Sequence, residues 1–335
     1  MFNLLTFIAL TSFSKYYNCN IERVDEFVNF ANTYNKSYLN EDILLQKYLT
    51  FVDNYNYINE RNSLNLGYTL EMNKFGDLTF PEFSSMYKGY NGLRNSNKTY
   101  NTHHMTFNTL NYSTIDWRAE GLVTDVKEQS QCGSCWAFSA VATMEGAHAK
   151  ETKNLTSLSE QDLVDCVPDC YGCGGGWPYL AIEYIINGST PNSSYTDNMT
   201  GIDTEVSYQY KGLDQTCNFT NSTVGARFTN LVRIPQNSTA HLLDAILSIG
   251  PISVAIDAEN DFQFYSSGIF TSNTCSETQL DHAVTVVGFG KTSNGTSYYI
   301  VKNSWGTDWG QDGYIYFNAD ISDMCGIAQD SCYAI

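Results

Sequence analysis

The chain opens on an apolar run, MFNLLTFIALTSFS (residues 1–14), that gives way to polar Lys15, Tyr16, Tyr17 and Asn18. It is too short to span a bilayer and has the length of the apolar region of a cleavable secretory signal. Further on, Leu44, Tyr48, Phe51, Val52, Tyr55 and Ile58 recur at helical spacing and predict an amphipathic helix. A second helix is predicted from Ser134, a residue type that caps helices well. Ala, Met and Glu in CWAFSAVATMEGAHAK favour it, with Trp136, Ala140 and Met144 on one face. Helix is also expected from near Ser157 and over AHLLDAILSIG (residues 240–250). Between residues 226 and 317 the pattern is otherwise mostly of β type, including AVTVVGFG and SYYIVKN joined through Asn294-Gly295, a hairpin signal. Folding about that turn opposes residues whose numbers sum to about 589, so His282 faces roughly position 307 and Asn303 roughly position 286. The pattern predicts an α+β protein, with helices before strands after about residue 110.

Composition narrows the function classes. At 335 residues, 42% hydrophobic and 14% aromatic, the chain supplies a substantial core for two or three compact units. Its formal charge of −18, with no Lys/Arg cluster to reverse it locally, makes the surface repel phosphate backbones and argues against nucleic acid as a partner. No later segment has the length of a membrane span, so a soluble mature protein is expected. Eleven Asn-x-Ser/Thr sequons fit passage through a glycosylating compartment, although the Asn, Ser and Thr content explains some of them.

Cys19 lies near the predicted signal junction, and the other nine cysteines follow residue 130. An odd number in an oxidising compartment implies a leftover thiol. Cys132 and Cys135 form a C-x-x-C pair, but no second pair or spaced histidines complete a zinc site, and Cys170 and Cys173 sit beside a glycine run typical of a tight turn.

The segment Gln129-Ser-Gln-Cys132-Gly-Ser-Cys135-Trp136-Ala-Phe138-Ser resembles the active-site segment of the papain family of cysteine peptidases. His282 in LDHAVTVVGFG and Asn303 in YYIVKNSWGTDWG fall in strings similar to that family's, as do IDWRAEGLVTDVKEQ, LSEQDLVDC and GCGGG. The likeness spans most of residues 115–335 and is strongest to the cathepsin L group. Upstream, Phe51, Asn54, Ile58 and Asn62 match part of that group's propeptide helix motif, and Asn73, Phe75 and Asp77 match part of a second motif. Ile43, Lys47 and Glu71 depart from these motifs, which puts the expected salt bridges of that helix in question.

The chemistry agrees with the likeness. Thiolate rather than thiol attacks a peptide bond, and a cysteine in the first turn of a helix is favoured as an anion by unpaired N–H groups and the helix dipole. Of five histidines, His103 and His104 precede the expected mature region. His148 lies about 20 Å along the helix that Cys135 begins, and His241 sits in an ordinary amphipathic helix. A lone histidine such as His282 at the head of an apolar strand is more often a satisfied core residue, but its matching motif reverses that balance. Asn303, near His282 across the hairpin, is placed to accept a hydrogen bond from its imidazole.

The resemblance implies a two-lobed fold with the active site between a helical half and a β-barrel-like half. It divides the chain into signal (1–18), inhibitory propeptide (19–110) and peptidase domain (111–335). It implies catalytic roles for Cys135, His282, Asn303 and Gln129, the last as an oxyanion-hole amide. Substrate contacts are implied at Gly176, Trp177, Pro178, Ala255, Leu280, Asp281, Ala283, Trp305 and Asp330, with Trp305 covering the Asn–His bond. Asp330 at the floor of the S2 pocket predicts that Arg is accepted at P2 beside apolar side chains. Disulfides Cys132–Cys173, Cys166–Cys217 and Cys275–Cys325 are implied, and parity suggests Cys170–Cys332 as a fourth. Residues 186–201, with three sequons, look like a surface insertion relative to the cathepsin L group. The implied enzyme is a monomeric endopeptidase of the secretory pathway, lysosomal, vacuolar or extracellular. It uses no cofactor or metal, and its partners are polypeptide substrates, its own propeptide and cystatin-type inhibitors. The competing classes, a catalytically dead binding protein or a disulfide-stapled structural glycoprotein, leave the spaced Cys, His, Asn and Gln unexplained.

Overall fold

The computed structural model describes residues 23–94, 98–106, 114–188 and 200–335. The apolar leader, Cys19, the expected junction near residue 110 and most of the Asn-rich stretch at 186–201 lie outside the described residues.

The N-terminal segment builds α1 (Val24–Thr33), α2 (Glu41–Ser63), β1 (Tyr68–Leu70), α3 (Phe80–Tyr87) and β2 (Asn101–Thr102). Asn40 starts α2 by accepting from the Ile43 amide at 2.9 Å. The predicted stripe of Leu44, Tyr48, Phe51 and Ile58 is buried, the first three against Phe27 and Phe30 of α1. The spaced asparagines stitch α2 to the chain that follows. Asn54 Nδ2 donates to the Gly76 and Leu78 carbonyls, and Asn62 bonds both backbone groups of Leu70. Lys47 pairs with Glu82 at 2.8 Å, so an ion pair to α3 survives at that position, and Thr79 and Glu82 form a capping box at the start of α3.

After β3 (Ile115–Asp116), which joins the large sheet, the helical lobe holds α4 (Cys135–Thr152), α5 (Glu160–Cys166), α6 (Pro178–Asn187) and the pair β4 (Ile202–Asp203) and β5 (Val224–Ala226). Helix α4 is buried without a break from Cys135 to Gly146, so it is a central helix rather than one with a single apolar face. Its buried Glu145 is satisfied by Lys127, Thr124 and the Leu158 amide. Ser134 precedes α4 but does not cap it through its side chain; its hydroxyl bonds the Tyr210 hydroxyl at 2.6 Å instead.

The strand-rich lobe continues with β6 (Leu231–Arg233), α7 (Thr239–Ser248), β7 (Ile252–Ile256), α8 (Asn260–Phe264), β8 (Tyr265–Phe270), β9 (His282–Lys291), β10 (Ser297–Lys302), β11 (Tyr314–Asn318) and β12 (Ser331–Ala334). Among the described residues the sheet order is β1-β8-β11-β10-β9-β7-β12-β6-β2, with β3 on β9. The N-terminal segment therefore supplies a strand at each end of the sheet, and each one pairs an edge that would otherwise present open backbone groups.

The β9–β10 hairpin forms, with a register different from the simple count. Tyr299 faces Phe289, and after a shift between Ile300 and Val301, Lys302 faces Thr285. The loop closes by Gly295 and Thr292 hydrogen bonds, and the bulge draws the chain beyond β10 back toward His282.

Cys132–Cys173, Cys166–Cys217 and Cys275–Cys325 are bonded. Cys170 and Cys332 are not, which corrects the fourth bridge. Both lie in the apolar cluster around α4, but each thiol is held by its own element. Cys170 Sγ packs against Gly176 and faces the Trp177 carbonyl at 3.9 Å, while Cys332 is fixed within β12 between Arg233 and Ser253. Burial pushes both thiols up to about 12, so they stay protonated and inert without a partner, and the parity argument fails.

Candidate active site

Three elements converge on Cys135. It is the first residue of α4 and wholly buried, and its Sγ accepts from the Ala283 amide at 3.4 Å. Ser139, one turn later, bonds the Val284 carbonyl and the Ser253 hydroxyl, both at 2.7 Å, and so locks α4 onto β9 and β7. The thiol thus stands beside His282, the first residue of β9.

His282 Nε2 donates to Asn303 Oδ1 at 2.9 Å, and the Ser304 amide donates to the same oxygen at 2.9 Å, which fixes the asparagine's orientation. Nδ1 is left buried and unpartnered. With Nε2 carrying its proton to Asn303, Nδ1 is the basic nitrogen. Trp305 stacks on the imidazole with ring centroids 4.6 Å apart and itself has no exposed surface, so it shields the His282–Asn303 bond from water.

Gln129 is held by the same stretch of chain. Its amide N–H donates to the Ser304 carbonyl at 2.8 Å, and its Oε1 accepts from Ser304 Oγ at 2.6 Å. Its Nε2 donates to the carbonyls of Cys132 and Tyr87 at 2.7 and 3.1 Å. The Cys132–Cys173 bond and the Gly133 amide to the Cys173 carbonyl at 3.0 Å pin the loop before the nucleophile to the glycine-rich turn.

The Tyr87 carbonyl belongs to the N-terminal segment, whose residues 87–92 run through the site. Trp305 Nε1 also reaches that carbonyl, at 3.3 Å. The Gly176 amide donates to the Gly89 carbonyl at 2.8 Å, Tyr90 donates to the Asp281 carbonyl at 3.1 Å, and Trp177 Nε1 donates to the Gly92 carbonyl at 2.8 Å. Lys88 Nζ pairs with Asp281 at 2.8 Å, and Phe75 and Phe83 pack edge-on against Trp305.

The Tyr90 ring enters an apolar pocket shared with Trp177, Ala255, Leu280 and Ala283, beside Pro178 at the start of α6. Its hydroxyl donates to Asp330 Oδ2, and Arg233 Nη2 holds Asp330 Oδ1 at 2.5 Å. The structure gathers Cys135, His282, Asn303, Gln129 and Trp305 around one end of α4, with Trp177, Ala255, Leu280, Ala283 and Asp330 near Tyr90. Arg233, Tyr90, Gly89 and Lys88 escaped notice, because no periodicity or motif marks a residue whose partner lies 87 to 240 positions away.

Burial under residues 87–92 governs the charge state. It pushes the Cys135 thiol up to about 12 against the opposing pull of the Ala283 and Gly89 amides. It drives His282 down to about 3, against the Asn303 hydrogen bond and with the Lys88 charge adding to the fall. The pair as seen is neutral: the helix terminus that would stabilise a thiolate is present, but the segment above it excludes water.

Residues 112–335 match the papain family cysteine protease family, and residues 27–83 match the cathepsin propeptide inhibitor domain (I29). Digestive cysteine proteinase 1 of Homarus americanus is 42% identical over 313 residues, covering 91% of this chain and 92% of its own. Cathepsin L of Sarcophaga peregrina is 39% identical over 322 residues, 92% of each chain. Among solved structures, digestive procathepsin L 3 of the Tenebrio molitor larval midgut superposes with a TM-score of 0.82 at 34% identity, covering 94% of this chain and 99% of that one.

Proposed function

Because the chain belongs to the papain family of cysteine proteases and carries the family's propeptide inhibitor domain, we propose that Cys135, His282, Asn303 and Gln129 form the catalytic machinery of this cathepsin L-like zymogen. The observation that carries the assignment is the arrangement of polar atoms. Cys135 begins a helix beside His282, whose Nε2 is committed to Asn303 and whose Nδ1 is open.

Once the covering segment leaves, the Cys135 proton passes to His282 Nδ1 and the thiolate attacks the peptide carbonyl carbon. The carbonyl oxygen becomes an oxyanion within reach of Gln129 Nε2, which the Tyr87 carbonyl occupies in the zymogen. Collapse of the intermediate breaks the C–N bond, and the imidazolium gives its proton to the departing amine. His282 then takes a proton from water, the hydroxide attacks the thioester, and the acid product and Cys135 are released.

The segment ahead of residue 111 is read as the intramolecular inhibitor, cleaved near residue 110, and residues 1–18 as a signal. The leader, the sequons and the digestive names of the relatives support a secretory route ending in a lysosome, a vacuole or the extracellular space. Monomeric action and inhibition by cystatin-type proteins are carried over from the resemblance. Gly176 and Asp281 supply backbone contacts, and the walls formed by Trp177, Pro178, Ala255, Leu280 and Ala283 favour an apolar P2 side chain. The basic option expected from Asp330 is opposed by Arg233, which already pairs with that carboxylate.

The test is incubation of the purified precursor at acid pH, following processing and peptide hydrolysis, with an epoxide thiol reagent as active-site label. Wild type is expected to process, hydrolyse and label, and Cys135→Ala to do none of these. Labelling that persists in Cys135→Ala defeats the assignment.

A further inference from the structure

The floor of the pocket that holds Tyr90 carries two charges rather than one. Arg233 Nη2 meets Asp330 Oδ1 at 2.5 Å, and its guanidinium lies 4.2 Å from the centre of the Tyr179 ring and 5.6 Å from that of Tyr100. Arg233 closes β6, and Asp330 immediately precedes β12, the strand paired with β6. The Ala255 amide donates to the Asp330 carbonyl at 3.1 Å, which ties the floor to a pocket wall. Both charged residues lie beyond the junction, so their pairing remains when the N-terminal segment departs.

The arrangement separates three kinds of side chain. A lone carboxylate at the end of an apolar pocket attracts a cation, but here one oxygen is committed to Arg233 and a second cation would enter beside a fixed guanidinium. An apolar ring fits the walls but leaves Asp330 Oδ2 without a donor. A phenol fits the same walls and donates to that oxygen without bringing charge, as Tyr90 does at 4% exposure.

We infer that Arg233, acting through Asp330, makes the S2 pocket selective for tyrosine over phenylalanine at P2 and excludes arginine. The inference rests on the assignment of this pocket to P2 and of Cys135 as nucleophile. Arg233 is a positioning residue, since it acts on the substrate only through the carboxylate that it orients and neutralises.

The experiment uses the matured enzyme and peptides identical except at P2, which carries Tyr, Phe, Leu or Arg, and compares kcat/KM within each variant so that any unfolded fraction cancels. For wild type, Tyr is expected to exceed Phe about tenfold, a difference of about 1.4 kcal/mol, and Arg to fall at least tenfold below Phe. Asp330→Ala is expected to bring the Tyr:Phe ratio to about one, and Arg233→Met to raise the Arg:Phe ratio at least tenfold. A wild-type Tyr:Phe ratio near one, wild-type cleavage of the P2-Arg peptide equal to that of the P2-Phe peptide, or an Arg:Phe ratio unmoved by Arg233→Met each overturns the inference. Because wild-type ratios suffice, a variant that fails to fold does not rescue it. Hydrolysis of the Leu peptide, abolished by Cys135→Ala, tests the catalytic reading separately. If that hydrolysis is absent, the catalytic reading falls and the inference falls with it.

Discussion

Gly89 is the point at which the inhibitory segment presses on the active-site loop, and a single methyl group there is expected to loosen the zymogen. A Cβ at position 89 would meet the Gly133 carbonyl oxygen at 1.8 Å, its carbon at 2.3 Å and the Gly133 Cα at 2.7 Å. All three are backbone atoms of a loop pinned by a disulfide and by the Gly133–Cys173 hydrogen bond, so the segment rather than the loop must yield. Ordinary contact starts at 3.4 Å, so Gly89→Ala lifts the segment by roughly 1.6 Å. That movement breaks the Gly176–Gly89, Tyr90–Asp281 and Gln129–Tyr87 hydrogen bonds, now 2.8 to 3.1 Å long. At about 1 kcal/mol net for each bond, closure weakens by about 3 kcal/mol, or on the order of a hundredfold in the open population. Cys135 is fully buried, so its alkylation in the intact zymogen at neutral pH reports that population. Mass spectrometry of the Cys135 peptide is expected to show alkylation about a hundredfold faster in Gly89→Ala, with buried Cys170 and Cys332 as internal controls. The matured enzymes should have equal kcat/KM, because cleavage near residue 110, as proposed, removes residue 89. Equal alkylation rates in the two zymogens would refute the steric argument.

In Cys135→Ala zymogen, expected not to process itself, His282 links closure to pH. Its closed-state value of about 3 lies below the ordinary 6.5, so the stability it lends to closure is full above about 6.5 and is lost as pH falls toward 3. Opening, followed by limited proteolysis across residues 84–92, should rise by up to about tenfold per pH unit in that window, and a slope unchanged by adding His282→Gln would contradict this. Burial raises the Glu82 carboxyl, but Lys47 and the Thr79 amide outweigh it and hold the group below its ordinary value. Its stabilisation is therefore present above about 4.5 and fades on acidification through the folded-state value. Glu82→Gln should accordingly move propeptide release and processing to higher pH, and identical pH profiles would count against that role. Asn303→Ala should lower kcat about 10–100-fold with little change in KM, because the imidazole loses the acceptor that sets its tilt; a matching loss in KM alone would place Asn303 in binding instead. Denaturation without reduction should expose Cys170 and Cys332 as free thiols beside three intact disulfides, and a cross-linked Cys170–Cys332 peptide would overturn the structural assignment.

Local signals made much of this molecule legible. The helical stripe from Leu44 to Ile58 is buried against a neighbouring helix, because a repeat near 3.6 residues leaves an apolar face nowhere else to go. Cys135 opens its helix as the local composition indicates. The Asn294-Gly295 hairpin forms, but its register depends on a bulge at Ile300–Val301, and a bulge answers to neighbouring strands rather than to the turn. Ser134 has the residue type of a cap, yet Tyr210, brought in from far along the chain, takes its hydroxyl.

The sequence by itself determined which residues could do the chemistry. The local pattern places a thiol at a helix start and sets a histidine and an asparagine near one end of a hairpin, and the resemblance to the papain family picks out those residues and the upstream glutamine. Only the tertiary structure decided what state that machinery is in. The chain from Tyr87 to Gly92 lies across the site and occupies the glutamine amide, burying thiol and imidazole in neutral form. It also decided that Asp330 is a paired acid and that Cys170 and Cys332 stay apart. The reason is physical: charge, burial and pairing are properties of the surroundings, and those surroundings are assembled from residues that no local pattern relates.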